Sequence, residues 1–233
     1  MALHNRFIPR LPSETAPCTD LTEMKEVRDR VLKDTDISDH LPDLFAAALA
    51  ARPKLIVELG VRGGESAFVF ERISKLYGSH WVSVDIEDCS RISSYPNWYF
   101  VQSDDIQFSK QFPGFCRESG FEPSIDLLFI DTSHLYEHTV LEISHWFPFL
   151  APECHVLFHD TNQALIVQKK DGKLVYGADN RGVIAPIEEY FGCKFDERSD
   201  FTTVRQGWII THRAMSHGFT ALHRLPELLT REE

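Results

Sequence analysis

Two short segments of this chain set carboxylates and imidazoles where apolar runs end: Phe129-Ile130-Asp131-Thr132-Ser133-His134 and Val156-Leu157-Phe158-His159-Asp160-Thr161-Asn162. Each run reads as a buried strand, so Asp131 and Asp160 stand at strand tips and, on neighbouring strands, converge. Two like charges that close are unfavourable unless a proton or cation sits between them, which makes both candidate ligands of a divalent metal. His134, with an ordinary imidazole pKa of about 6.5, is placed to take a proton near neutral pH. Its position is equally that of a structural histidine at the start of a helix. A third segment, Leu55-Ile-Val-Glu58-Leu-Gly60-Val-Arg-Gly63-Gly64-Glu-Ser66, is an apolar strand running into a glycine turn and a helix. The glycines let the backbone bend and approach a ligand, while Ser66 and the first helical N–H groups supply donors at a positive helix end. This is a cradle for a nucleotide-like cofactor. Trp81-Val-Ser-Val-Asp85 is a strand ending in an acid suited to the two hydroxyls of a ribose, and Trp98-Tyr-Phe-Val-Gln leads to Ser103-Asp104-Asp105. Each aspartate alone reads as a turn or capping residue; the series of strand ends points to one site.

A dinucleotide site also uses a strand, a glycine turn and a helix, but its G-x-G-x-x-G spacing puts a second glycine where this chain has Arg62. The order E-x-G-x-x-G-G, formed by Glu58, Gly60, Gly63 and Gly64, resembles instead the first motif of class I S-adenosylmethionine-dependent methyltransferases. That resemblance implies S-adenosylmethionine as cofactor, held by Glu58, Gly60, Gly63, Gly64 and Ser66, with Asp85 on its ribose and Asp104 at the adenine amino group. Over roughly residues 50–210 the order of motifs is similar to a branch that includes magnesium-dependent sugar O-methyltransferases of macrolide pathways and cephalosporin-hydroxylase-like relatives. By the same resemblance Asp131 and Asp160 are metal-binding acids and His134 is the general base, while His159 stands where relatives often have another acidic ligand.

Two departures accompany the likeness. Many relatives read Asp-Gly-Asp-His at the fourth strand, where this chain has Ser133 in place of the second acid. His159 leaves fewer hard oxygen ligands for magnesium, and Asn162 offers a neutral oxygen nearby. The implied reaction is O-methylation of a small hydroxylated metabolite, a sugar or natural product, by in-line attack on the sulfonium methyl. Asp131 and His134 then form the catalytic centre, and holding the reactants in line contributes on the order of 7 to 11 kcal/mol. Two other classes stay open: a catalytically inactive partner subunit on a cofactor-binding fold, left open by Ser133 and His159, and an NAD-dependent oxidoreductase, disfavoured by Arg62.

The elements that position these groups alternate: strands near 55–59, 81–85, 98–102, 125–130 and 155–159, with helices at 64–77, 106–118 and 136–149. Such alternation predicts an α/β fold, a doubly wound and mostly parallel sheet whose ligands bind at the C-terminal strand ends. Final strands at Cys193–Glu197 and Gly207–Thr211 complete an expected seven-stranded Rossmann-like sheet with an antiparallel edge hairpin. Before the sheet come an arm over residues 1–20, with Pro9, Pro12 and Pro17, and helices at Leu21–Lys33 and Leu41–Ala51. The domain itself is expected over 51–233. Residues 162–183, with Asp171-Gly172 between two strand-like runs, read as a hairpin, equally a substrate lid or a plain surface hairpin, followed by a helix at 184–191.

Composition narrows the partners. With 24 Lys and Arg against 35 Asp and Glu, the net charge of −11 and the lack of a dense basic run disfavour nucleic acid. Five cysteines, Cys18, Cys89, Cys116, Cys154 and Cys193, show no CxxC spacing and no even framework, which points to a reducing, cytoplasmic setting. No run reaches the roughly 18 apolar residues of a membrane span. The proline-bearing arm is compatible with a homodimer.

Overall fold

The computed structural model describes residues 22–33, 35–168 and 174–226. The expected arm and the Asp171-Gly172 turn lie outside the described residues. In chain order the elements are α1 (Thr22–Arg30), α2 (Leu41–Ala51), β1 (Leu55–Leu59), α3 (Glu65–Tyr77), β2 (His80–Asp85), β3 (Trp98–Gln102), α4 (Asp105–Ser109) and α5 (Phe112–Ser119). There follow β4 (Ile125–Ile130), α6 (Tyr136–Trp146), β5 (Leu150–His159), β6 (Gln163–Gln168), β7 (Leu174–Asn180), α7 (Ile184–Phe191), β8 (Phe201–Arg205), β9 (Trp208–Arg213) and β10 (Phe219–Arg224).

The main sheet runs β3-β2-β1-β4-β5-β10-β9-β8. Its first five strands are parallel, and β10, β9 and β8 join by antiparallel pairing. The α/β doubly wound architecture is as expected, with eight strands instead of seven. Cys193–Glu197 is not a strand, because the backbone N–H groups of Cys193 and Phe195 are taken by Glu188, the first by its carbonyl and the second by its side chain. Those donors close the end of α7 and are lost to a sheet ladder. The edge is built instead by β8, β9 and β10. The helix expected over 106–118 is two helices, with Pro113 in the first turn of the second, where its missing N–H breaks no intrahelical bond.

Both faces of the sheet are covered, which is why the parallel strands are continuously apolar instead of alternating. Ile56, Phe129 and Leu157 pack with Leu44 of α2 and Phe70 of α3. Val57, Leu128 and Val156, on the opposite pleat, pack with Phe112, Trp146 and Ile187 from α5, α6 and α7. All five parallel strands end on the same edge, so the acids at their tips share one surface. β6 and β7 pair with each other as a separate hairpin leaving β5 on that edge. No helix among the described residues is long and apolar enough to cross a membrane.

Candidate active site

The glycine loop is shaped from within. Glu58 is fully buried; its Oε1 accepts from the Ser66 hydroxyl at 2.6 Å, and its Oε2 accepts from Ser83 Oγ at 2.6 Å and Trp81 Nε1 at 3.1 Å. Burial pushes its carboxyl up to about 7, against those three donors. Glu58 therefore ties β1, β2 and α3 together beneath the loop. The Ser66 hydroxyl, expected to face a ligand, is spent on Glu58. Gly60 has φ +87°, and a Cβ there would stand 2.0 Å from the Asp131 carbonyl oxygen, so only glycine lets the ends of β1 and β4 meet. Gly64, at φ +79°, caps α3 and packs on Ile92. Gly63 differs: nothing lies within 4 Å of where its Cβ would be. The fold makes no demand for glycine there, which leaves an open approach to the backbone for a ligand.

Asp85 and Asp104 line a cavity of about 590 Å³ with Gly60, Gly63, Glu87 and Asp131. Asp85 Oδ2 accepts from the N–H groups of Val61 at 2.7 Å and Arg62 at 3.0 Å, and Oδ1 accepts from Glu87 at 2.9 Å. It thus clamps the loop while facing the cavity, with lone pairs in reserve. Asp104 is the N-cap of α4, accepting from Gln107 N–H at 2.9 Å through Oδ1, and is exposed at the cavity wall. Glu87, which the sequence did not single out, joins the same wall.

The strand-end groups do converge. His134 Nε2 lies 3.1 Å from Asp131 Oδ1 and 2.9 Å from Asp160 Oδ2. His159 Nδ1 lies 2.9 Å from Asp160 Oδ2 and 3.5 Å from Asp131 Oδ1. His134 and Asp160 both adopt left-handed backbone, φ +55° and +57°, which turns their side chains into the cluster. Burial alone would lower both imidazoles, yet the two carboxylates hold His134 up at about 9 and His159 up at about 10. In return the histidines keep Asp131 and Asp160 below the ordinary aspartate range, against burial.

The ligand atoms of Asp131, His134 and Asp160 all lie within 4.8 Å of one another, a donor set that fits a divalent cation. His159, expected as a third metal ligand, is 1 % exposed and turns its Nδ1 to the carboxylates, so it buttresses Asp160 from the buried side. The Asn162 side-chain nitrogen donates to the Ala214 carbonyl at 2.8 Å, which fixes the connection between β9 and β10. That connection brings in His217, unmarked by any sequence pattern, whose Nδ1 lies 3.3 Å from Asp160 Oδ1. Asp131 also borders a second cavity of about 400 Å³, on the side of Lys33, Thr35 and Ile37.

Below the strand ends, the β6–β7 hairpin rejoins the domain against this cluster. A Cβ on Gly182 would stand 2.0 Å from the His134 carbonyl oxygen, and Asn180 Nδ2 donates to Gln163 Oε1 at 2.6 Å across the base of the hairpin.

Comparison with known proteins agrees with this geometry. A sequence family described as "Methyltransferase domain" matches residues 57–161, from the middle of β1 to just beyond Asp160. An uncharacterized protein of Sinorhizobium fredii is 29 % identical over 137 residues, 48 % of this chain, and the chain spans 14 % of that relative's length. A putative O-methyltransferase of Klebsiella pneumoniae superposes with TM-score 0.53 at 15 % identity, covering 88 % of this chain and 90 % of the other. MycE methyltransferase of the mycinamycin biosynthetic pathway, solved with Mg, S-adenosylhomocysteine and mycinamycin VI, gives TM-score 0.56 at 15 % identity over 91 % of this chain and 57 % of that one. The glycine loop and both strand-end motifs thus lie on a fold shared with solved methyltransferases, and residues 57–161 are similar to the methyltransferase-domain family.

Proposed function

We propose that the chain transfers the methyl group of S-adenosylmethionine to a hydroxyl of a small metabolite, of the sugar or natural-product kind. The observation that carries the reading is the position of Asp131, which borders both cavities beside His134 and Asp160. The larger cavity takes the cofactor, with Asp85 on the ribose hydroxyls, Asp104 toward the adenine and the open face of Gly63 against the ligand backbone. The smaller cavity takes the acceptor, and we assign the substrate-lid role to the β6–β7 hairpin, after which Gly182 packs on the His134 carbonyl. Asp131 and Asp160 by themselves keep His134 protonated near neutral pH; with their charge neutralised by a cation the imidazole would be free to receive the hydroxyl proton. Asp131 and Asp160 would hold a divalent metal, magnesium in MycE, and such an ion lowers the pKa of a bound hydroxyl and fixes its direction.

Calorimetric titration with S-adenosylhomocysteine, with and without magnesium and against NAD, tests the cofactor. Micromolar binding of the former alone is expected. Asp85→Ala should weaken that binding by roughly tenfold or more, whereas Asp131→Ala should leave it within about twofold and remove methyl transfer to acceptor sugars. Preference for NAD would overturn the reading. Cofactor binding without turnover on any hydroxylated acceptor would favour the inactive partner subunit, which Ser133 keeps in view.

A further inference from the structure

A second cluster of ligating side chains lies apart from Asp131, His134 and Asp160, where α4 meets α6. Asp105 opens α4, and His138 and Glu142 stand one turn apart on α6, so their four-residue spacing presents both to α4. His138 Nε2 is 3.0 Å from Asp105 Oδ1 and 3.5 Å from Glu142 Oε1, and the three ligand atoms all lie within 4.8 Å of one another. Ligands about 2.0 to 2.2 Å from one ion in tetrahedral geometry are separated by roughly 3.3 to 3.6 Å. The two separations from His138, 3.0 and 3.5 Å, lie close to that spacing.

A second observation points to a ligand. Glu142 is fully buried and Asp105 nearly so, and each has one carboxylate oxygen, Oε2 and Oδ2, buried without a hydrogen-bond partner. The remaining contact is Thr132 Oγ1, which donates to Glu142 Oε1 at 2.5 Å. Buried charged acceptors are rarely left this way, because each forfeits its hydration for nothing. Burial, and then the charge of Asp105, push the Glu142 carboxyl up to about 8. The hydrogen bond to Asp105 raises His138 above the ordinary imidazole range, and a dication would take the place of that proton against the two carboxylates.

We propose that Asp105, His138 and Glu142 bind a divalent transition metal of the zinc type, bridging α4 and α6 at the wall of the cofactor cavity. One nitrogen and two oxygens suit zinc, cobalt or manganese better than magnesium, which prefers a full oxygen octahedron. His138 and Asp105 border the larger cavity, so the fourth position opens toward water there. The ion is structural: it fastens the start of α6, just beyond the His134 loop, to the helix that Asp104 caps. It stands independently of the methyl-transfer reading.

Chelator-treated protein, titrated with zinc and separately with magnesium, tests this in wild type and in Glu142→Gln, His138→Gln and Asp160→Asn variants, with far-UV circular dichroism and cooperative urea unfolding as the measure of an intact fold. A zinc site present in wild type and Asp160→Asn, and weakened at least tenfold in both α6 variants, is expected. Zinc should raise Tm in the first pair and not in the second, and cobalt substitution should give a visible absorption band lost with His138. Zinc stoichiometry unchanged in both α6 variants, or only one zinc site and that one lost in Asp160→Asn, overturns the proposal; Glu142 then shares a proton with Asp105 in place of a metal. If Glu142→Gln does not fold, His138→Gln decides alone, since it removes only a part-exposed imidazole.

Discussion

His134 sits between Asp131 and Asp160 with both oxygens within about 3 Å, and this placement separates binding from chemistry at the level of single residues. His134→Gln should lower kcat by roughly 10²- to 10⁴-fold while the affinity for S-adenosylhomocysteine stays within about twofold, as read by steady-state kinetics beside calorimetry. Equal losses in both would assign the histidine to cofactor binding. Asp131, His134, His159 and Asp160 could be picked out in the sequence because they lie at or within a few residues of the ends of apolar strands, and strand ends in a parallel sheet share an edge. His217 could not, because it reaches Asp160 from the turn after β9, and no spacing announces such a contact. The Ser66 hydroxyl departs from its expected place at a ligand for a related reason. A helix N-terminus invites a ligand reading, whereas the nearest acceptor is a buried glutamate one strand away. Asp105, His138 and Glu142 each pass for ordinary helix residues until α4 and α6 are brought together.

At the scale of elements, the glycine loop carries two requirements of different origin. Gly60 answers to the fold, since a methyl group there would meet the Asp131 carbonyl at 2.0 Å and φ is +87°. Gly60→Ala should destabilise the domain by more than about 3 kcal/mol in urea unfolding. Gly63 carries no such demand, and in the proposed reading its open face meets the cofactor. Gly63→Ala should shift stability by less than about 1 kcal/mol yet weaken S-adenosylhomocysteine binding, and unaltered binding would place the cofactor elsewhere. The alternation of strands and helices was legible because parallel strands buried on both faces are short apolar runs between amphipathic stretches. The break between α4 and α5 was less so, because Pro113 is tolerated in a first helical turn and marks a boundary only once that turn is located. Cys193–Glu197 had strand composition, but the pull of Glu188 on its backbone donors decided otherwise.

Across the whole molecule, the segment ahead of the sheet and the last hairpin are joined through His40, just before α2. His40 is fully buried, its Nε2 donates to the Met215 carbonyl at 3.1 Å, and its ring stacks on Phe219. Burial, helped by the charge of nearby His159, lowers His40 to about 4. An unfolded chain takes up this proton near pH 6.5, whereas the folded one resists it until about 4. The contribution is therefore present above pH 6.5 and is lost as pH falls through the window down to about 4, a loss of up to roughly 3 kcal/mol. Urea midpoints measured from pH 7 to pH 4 should fall more steeply for wild type than for His40→Phe, and parallel slopes would remove His40 from the account. α2, placed by the sequence ahead of the domain, shares its core through Leu44 and Phe45.

Gly182 rests on the carbonyl of His134, and Asn180 ties the base of the β6–β7 hairpin to Gln163. The excursion is thus a cassette on a fixed mount. On the lid role proposed above, exchanging the span between Gln163 and Asn180 should change which acceptor is turned over, provided Gln163, Asn180 and Gly182 are kept. Grafts that cut inside those three should retain cofactor binding and acquire new acceptors, while grafts that replace Gly182 should lose turnover on every acceptor, because the loop presenting His134 would be displaced.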